Sequence, residues 1–212
     1  MEIMKKVNEF LHIILAIIIL AFSVSLAKLN LGNFLLALLF FAIIFAVNIG
    51  AKKIIAYYLQ TSVETKIWQI QRYGFKEKQH LNVPIPAGII LPFLISILSL
   101  GNVYWLASTQ SEISARKSRV IRKHDFYSYT ELTEWHIGLI PAAGIFACLV
   151  LAFIAYFLNQ GELGRLAIFF ACFNMLPLGN LDGTKIFFSS LILWFVLAAL
   201  SLIALGYAIL LI

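Results

Sequence analysis

Long apolar runs separated by short polar segments constrain this chain more than any other feature. Hydrophobic residues make up 62% of the 212 residues and charged residues only 12%, and the mean hydropathy is +0.94. Because about 20 apolar residues cross the hydrocarbon core of a bilayer, such runs are typical of membrane helices. We therefore predict an all-α fold, a single multi-pass transmembrane helix bundle in the lipid bilayer that comprises residues 1–212. The predicted spans are residues 10–27, 33–59, 135–158, 166–178 and 185–212.

The basic residues indicate how the spans are oriented. The net charge of +6 is spread over segments between the apolar runs, so it indicates membrane topology and no nucleic-acid partner. If residues 84–107 enter the membrane and return to the same side, only Lys28 and Arg165 of the 16 basic residues lie outside. A spanning segment would instead divide the basic residues almost evenly. The positive-inside rule thus favours a re-entrant segment among five or six spans, with the N-terminus in the cytoplasm.

Residues 61–134 contain this segment and differ from the spans in composition. Residues 61–81 mix β-branched and aromatic side chains, including Trp68, which predicts one or two short strands in a surface β-hairpin. A basic linker follows at residues 116–123. Ser128 and Glu131 match a capping box, so we predict a helix that starts near residues 128–130.

The stretch from Phe173 to Gly183 interrupts the apolar pattern with a proline, two glycines and an aspartate. Pro177 cannot donate a helical hydrogen bond, so it opens the backbone. A carboxylate is costly at membrane depth, which indicates a functional role for Asp182. An aspartate after such a turn also commonly caps the next helix, here one that begins near Thr184, and this second interpretation stays open.

The pattern N-x-x-P-x-x-x-L-D-G at residues 174–183 resembles the second motif of the site-2 protease family, the zinc-dependent intramembrane metalloproteases. The resemblance implies a protease-like core of residues 34–59 and 135–190, with Asp182 at the position of the third zinc ligand. It also implies that Asn174 and Pro177 help to hold an extended client segment. The predicted strands around Trp68 are a further candidate for client binding, by strand addition.

The first motif of that family is H-E-x-x-H on a helix, and its position here reads N-I-G-A-K at residues 48–52. Asn48 and Lys52 stand where the two zinc-binding histidines would be, and Ile49 stands where the general base would be. Of the family's ligands only Asp182 remains, so we expect no zinc cofactor. If the core helices keep the family arrangement, Lys52 and Asp182 form a buried ion pair.

Other features bear on this resemblance. Residues 135–144 are similar to the family helix that enters the third core span, but the usual G-P-x-x-N is altered and ends at Cys148. Cys148 and Cys172 are interpreted as packing residues, because they lack motif spacing. Lys52 has an alternative role as an interfacial anchor beside Lys53.

The resemblance implies a catalytically inactive membrane protein of the cell membrane that binds membrane-protein clients or regulates an active protease relative. It also implies an archaeal or bacterial source. Two alternatives stay open. One is an active zinc protease with an unconventional site, for example His12, His136 and Asp182. The other is a small transporter or channel.

Overall fold

The computed structural model describes residues 2–26, 30–72, 80–115 and 133–210. The fold is mostly helical, as predicted, with two small two-stranded sheets. The described helices are α1 (Glu2–Ser25), α2 (Leu31–Tyr58), α3 (Ala87–Leu98), α4 (Glu134–Phe157), α5 (Gly161–Met175), α6 (Asp182–Ser189) and α7 (Leu191–Leu210). The strands are β1 (Thr61–Ile67), β2 (Ile70–Arg72), β3 (His80–Ile85) and β4 (Thr109–Ala115).

Of the described helices, four are long and apolar enough to cross a membrane. They are α2, α4, α7 and the part of α1 from Asn8 to Ser25. Large apolar side chains such as Leu35, Phe153 and Phe195 are exposed on their outer faces, as expected for helices solvated by lipid. The membrane character and the helical bundle predicted from the sequence are therefore supported.

Helix α4 lies at the centre and packs against α2, α5 and α6. Small residues permit these close approaches. A Cβ built on Gly138 would lie 2.1 Å from Ser189 Oγ of α6, and one built on Gly164 of α5 would lie 3.3 Å from the Ala152 carbonyl oxygen. Helix α5 therefore runs back along α4, and α6 ends beside the N-terminal part of α4.

The C-terminal part of the chain differs from the prediction. The span predicted at residues 185–212 is two helices, because Ser190 has an extended backbone between α6 and α7. The span predicted at residues 166–178 begins earlier, at Gly161, and ends at Met175. Its 15 residues extend over about 22 Å, less than the roughly 30 Å of the hydrocarbon core.

The strands pair differently from a simple hairpin. Strands are predicted within residues 61–81, and residues 61–67 form β1. The antiparallel partner of β1 is β4, with Thr65 opposite Ser111. Strands β2 and β3 pair with each other in a second sheet. The short β-structure predicted at residues 61–81 is therefore present, but the sequence interpretation missed β4 and its pairing with β1. The pairing of β1 with β4 brings residues before and after α3 together.

The segment of residues 84–107 returns to the place where it began. The Trp68 amide donates to the Ser108 carbonyl and the Gly88 amide donates to the Trp68 carbonyl, each at 2.9 Å. Between these ends α3 reaches α1, where Ser23 Oγ donates to the Pro92 carbonyl and Ser96 Oγ donates to the Ser23 carbonyl. The two ends meet, as a re-entrant segment requires.

Helix α4 begins at Glu134, one residue before the span predicted at residues 135–158. Thr133 has an extended backbone and precedes the first helical residue, Glu134. The capping box predicted at Ser128 and Glu131, and the basic linker at residues 116–123, lie outside the described residues.

Candidate functional site

Residues 48–52, which the resemblance aligns with the first protease motif, lie in the C-terminal half of α2. Its inward face is formed by side chains three or four residues apart, and Asn48 and Lys52 both belong to it. Ile49 is only partly buried, and packs against the hydrophobic core. The neighbouring Lys53 is half exposed, and its ammonium lies 3.0 Å from Glu9 of α1. Adjacent lysines on α2 therefore have opposite environments, one buried and one at the surface.

Lys52 reaches Asp182, which is 130 residues away in the sequence. Its Nζ lies 2.5 Å from Asp182 Oδ2, and the two side chains are 3% and 1% exposed. The other carboxylate oxygen, Oδ1, accepts a hydrogen bond from the Ser111 amide at 3.3 Å. Both oxygens of the carboxylate thus have a donor, which buried charges require.

Asp182 is the first residue of α6, and Leu181 is the N-cap without a side-chain cap hydrogen bond. The capping interpretation placed Asp182 before a helix near Thr184, but the helix begins at Asp182 itself. Its carboxylate reaches α2 and β4 rather than the amides of its own first turn. The structure therefore favours the ion pair over a helix cap, and it does not place Lys52 as a surface anchor.

Gly144 of α4 makes room for the lysine. A Cβ built there would lie 2.4 Å from Lys52 Cε and 2.9 Å from Asn48 Nδ2. Real Cβ atoms do not approach other atoms so closely, since interiors are close-packed. Beside this slot, Asn48 Nδ2 donates to the Cys148 sulfur at 3.5 Å. Asn48, Lys52, Gly144 and Cys148 therefore form one buried contact between α2 and α4.

A second lysine approaches the same carboxylate from α6. Lys185 lies one helical turn after Asp182, and its ammonium donates to the Ser111 carbonyl. The Ser111 amide thus donates a hydrogen bond to Asp182, and the Ser111 carbonyl accepts one from Lys185. Within the described part of the chain, Lys185 has no carboxylate in ion-pair contact.

The loop between α5 and α6 contains the other motif residues. Asn174 is 2% exposed, and its Nδ2 donates back to the Phe170 carbonyl at 2.8 Å. Pro177 is exposed in the loop that separates the two helices, as the prediction of an opened backbone requires. Gly179 has a φ of +54°, a conformation that favours glycine.

Trp68 is a buried residue rather than an exposed client contact. It is 2% exposed and stacks on Trp105 in the segment of residues 84–107, with ring centroids 6.4 Å apart. A Cβ built on Gly179 would lie 3.3 Å from Trp68 Nε1. Trp68 therefore fixes the loop before Asp182 against this segment, so an influence on client binding would act through that loop.

A cavity of about 410 Å³ lies along the outer edge of β4. Its walls include Lys66, Ser111, Glu112, Ile113, Asn180 and Lys185. The sequence interpretation did not single out Ser111, Lys185 or Gly144 as site residues. The sequence offered little signal for this strand, because residues 109–112 are all polar and show no period-two alternation.

The donors present do not fit a zinc ion. Hydrolytic zinc sites use three protein ligands, and a protonated lysine beside the only carboxylate repels a cation. In the described part of the chain, no three His, Cys, Asp or Glu side chains are grouped as metal ligands would be. His136 lies at the start of α4 and contacts Thr133, while His12 lies on α1, so neither joins Asp182 in such a group.

Comparison of the chain with protein-family models, with curated proteins and with solved structures gives no match. The relation to the site-2 protease family therefore depends on the motif residues and on their geometry.

Proposed function

We propose that the chain is a degenerate site-2-protease-like membrane protein that has lost its metal site and binds membrane-protein clients or regulates an active relative. One observation carries the proposal. The stretch at the position of H-E-x-x-H and the stretch with the L-D-G pattern meet in space, with Lys52 in contact with Asp182. The resemblance requires this meeting, and an unrelated bundle has no reason to bring these two residues together.

The chemistry of the contact supports a non-catalytic role. The ammonium of Lys52 provides the positive charge that the metal would provide to Asp182. It does not activate a water molecule as a bound zinc ion does. Ile49 has no group that takes a proton, and Asn48 is occupied by Cys148. The site retains the carboxylate and the helix packing, and it lacks the general base of a hydrolase.

The outer edge of β4 supports a client-binding role. Thr65 and Ser111 face each other in the β1–β4 ladder, and the Thr65 amide points to Glu9 while the Ser111 amide points to Asp182. This pair therefore exchanges no ladder hydrogen bonds, and by alternation the backbone groups of Ile113 also point outward. They face the cavity, where an extended client segment would add as a further strand.

We further propose a five-span arrangement in which α1, α2, α4, α5 and α7 cross the cell membrane and α3 enters it and returns. In this arrangement the N-terminus, the β1–β4 sheet and Asp182 lie on the cytoplasmic side, which agrees with the distribution of basic residues. The short loop between α4 and α5 lies on the opposite side.

Cysteine accessibility labelling tests this arrangement. Single cysteines at Lys66 and Lys117 are expected to react with a membrane-impermeant reagent from the cytoplasmic side. A cysteine at Asn159, between α4 and α5, is expected to react from the other side and provides the control. Labelling of Lys66 and Lys117 from opposite sides would contradict the re-entrant segment.

Metal analysis tests the loss of the catalytic site. We expect the purified protein to contain no stoichiometric zinc and to cleave no transmembrane substrate, because the ligands at positions 48 and 52 are missing. The triple change Asn48→His, Ile49→Glu and Lys52→His is expected to restore zinc at close to one ion per chain. Adding Asp182→Ala to the triple variant should remove that zinc. Activity should return weakly, since groups that orient the ligands are missing as well.

The opposite result would identify a different function. Zinc at close to one ion per chain in the unchanged protein, lost in Asp182→Ala, would contradict the proposal and favour an active protease with an unconventional site.

A further inference from the structure

We infer that the cavity beside β4 binds a carboxylate from an acidic client segment, with Lys185 as the counter-ion. This inference depends on the proposed client-binding function and specifies which clients it selects. Residues of β1, β4 and α6 line the cavity and differ in burial. Ser111 is fully buried and marks the buried end, whereas Lys66 and Glu112 are well exposed and mark the open end.

In the described part of the chain, Lys185 at the buried end has no carboxylate in ion-pair contact. The neighbouring Lys52 and Asp182, which do not line the cavity, neutralise each other at 2.5 Å. Lys185 then remains with a neutral acceptor, the Ser111 carbonyl. An ammonium away from bulk water is stabilised by a partner of opposite charge. A carboxylate that binds at this end would give Lys185 such a partner.

The acidic residues that line the cavity have partners of their own. Glu112 forms an ion pair with Lys66 on the polar face of the β1–β4 sheet, and both side chains are well exposed. Glu64 also lines the cavity and has an interaction partner. Glu112 acts on the Lys185 ammonium electrostatically, but within the described residues it is not in ion-pair contact with it.

Further hydrogen-bond donors line the buried end. The hydroxyl of Ser111 is fully buried and has no hydrogen-bond partner in the described part of the chain. A buried hydroxyl without a partner indicates a place where a ligand or water binds. The Asn180 side chain also lines the cavity. An ammonium, a hydroxyl and an amide next to one another suit the two oxygens of a carboxylate.

The position of the donors favours a peptide as the source of the carboxylate. Ile113 presents its backbone amide and carbonyl to the cavity, two residues from Ser111. A client strand that pairs at Ile113 passes next to Lys185, which occupies the strand edge at Ser111. An acidic side chain on that strand replaces the Ser111 carbonyl as the partner of the ammonium.

The test uses the full-length protein in detergent and two labelled peptides. Both peptides are rich in valine and threonine, and they differ only in one central residue, Glu or Gln. We expect the Glu peptide to bind about tenfold more tightly, which corresponds to about 1.4 kcal/mol. Lys185→Gln should remove this preference, whereas Lys185→Arg should retain it. Lys53→Gln, which removes the same charge outside the cavity, should leave the preference unchanged.

A backbone variant separates this inference from the proposed function. Ile113→Pro removes the outward amide and should weaken the binding of both peptides, since an edge position tolerates proline without loss of the ladder. Ile113→Val retains the amide and is the matched control. If both peptides bind equally and Ile113→Pro weakens both, the acidic preference is wrong and client binding stands.

Two other outcomes overturn the inference. If neither peptide binds, client binding at this edge is wrong as well. If anionic lipid vesicles bind in a Lys185-dependent manner and neither peptide competes, the carboxylate site is a lipid headgroup site instead.

Discussion

Replacing Asp182 by Asn is expected to destabilise the bundle by about 3–5 kcal/mol, the largest effect of any conservative change in this protein. The substitution leaves the Lys52 ammonium buried with no charged partner. It also weakens the contact with Ser111, because an amide oxygen is a poorer acceptor than a carboxylate. Thermal unfolding of the purified protein in detergent measures the loss.

Removing both charges should cost much less. In Asp182→Asn with Lys52→Met, the thioether side chain fills the slot at Gly144 and no ammonium is left buried at position 52. A double-mutant cycle should therefore give a coupling free energy of several kcal/mol for the pair, roughly that of other buried ion pairs. The pair of Lys66 and Glu112, whose side chains are both well exposed, is the control, and its coupling should be no more than about 1 kcal/mol. Additive effects of the two buried substitutions would contradict the ion pair.

Gly183→Ala should destabilise the protein by about 3 kcal/mol, the upper range for added volume in a packed interior. A Cβ on Gly183 would lie 2.1 Å from the Met175 carbonyl oxygen and 2.8 Å from that of Leu176. Both atoms belong to the backbone at the end of α5, so the clash moves α6 and with it Asp182. We expect a lower melting temperature in detergent and a weaker coupling between Lys52 and Asp182.

The control for this change is Gly206→Ala on α7. A Cβ at Gly206 would meet no atom within 4 Å. Alanine is the better helix former, so the variant should be stabilised by up to about 1 kcal/mol. Equal effects at the two glycines would mean that the contact between α5 and α6 does not restrict position 183.

Several features of the fold could be predicted because they depend on local properties. Apolar length was sufficient to locate α2 and α4 with ends within a few residues of those observed, whereas α1 begins at Glu2, eight residues before the predicted start. Charge distribution favoured a returning segment, and the contacts of Trp68 with Gly88 and Ser108 agree with it. The expected proximity of Lys52 and Asp182 came from motif positions and not from local properties.

Other features depend on long-range pairing and could not be predicted in the same way. Strand β4 is polar and short, and it is stabilised by β1, which lies more than 40 residues earlier in the chain. The break at Ser190 lies in an apolar sequence without proline, where the Ser190 hydroxyl accepts a hydrogen bond from the Leu193 amide at the start of α7. The roles of Gly144 and Lys185 depend on neighbours from other helices, so residue type alone did not indicate them.

The central claim is that a lysine ammonium occupies the place of the metal at Asp182. Anomalous diffraction at the zinc absorption edge, from crystals of protein purified in zinc-containing buffer, tests it most directly. We predict no zinc peak beside Asp182 and continuous contact between the Lys52 ammonium and the carboxylate. A zinc peak bound to Asp182, with Lys52 turned away, would contradict it.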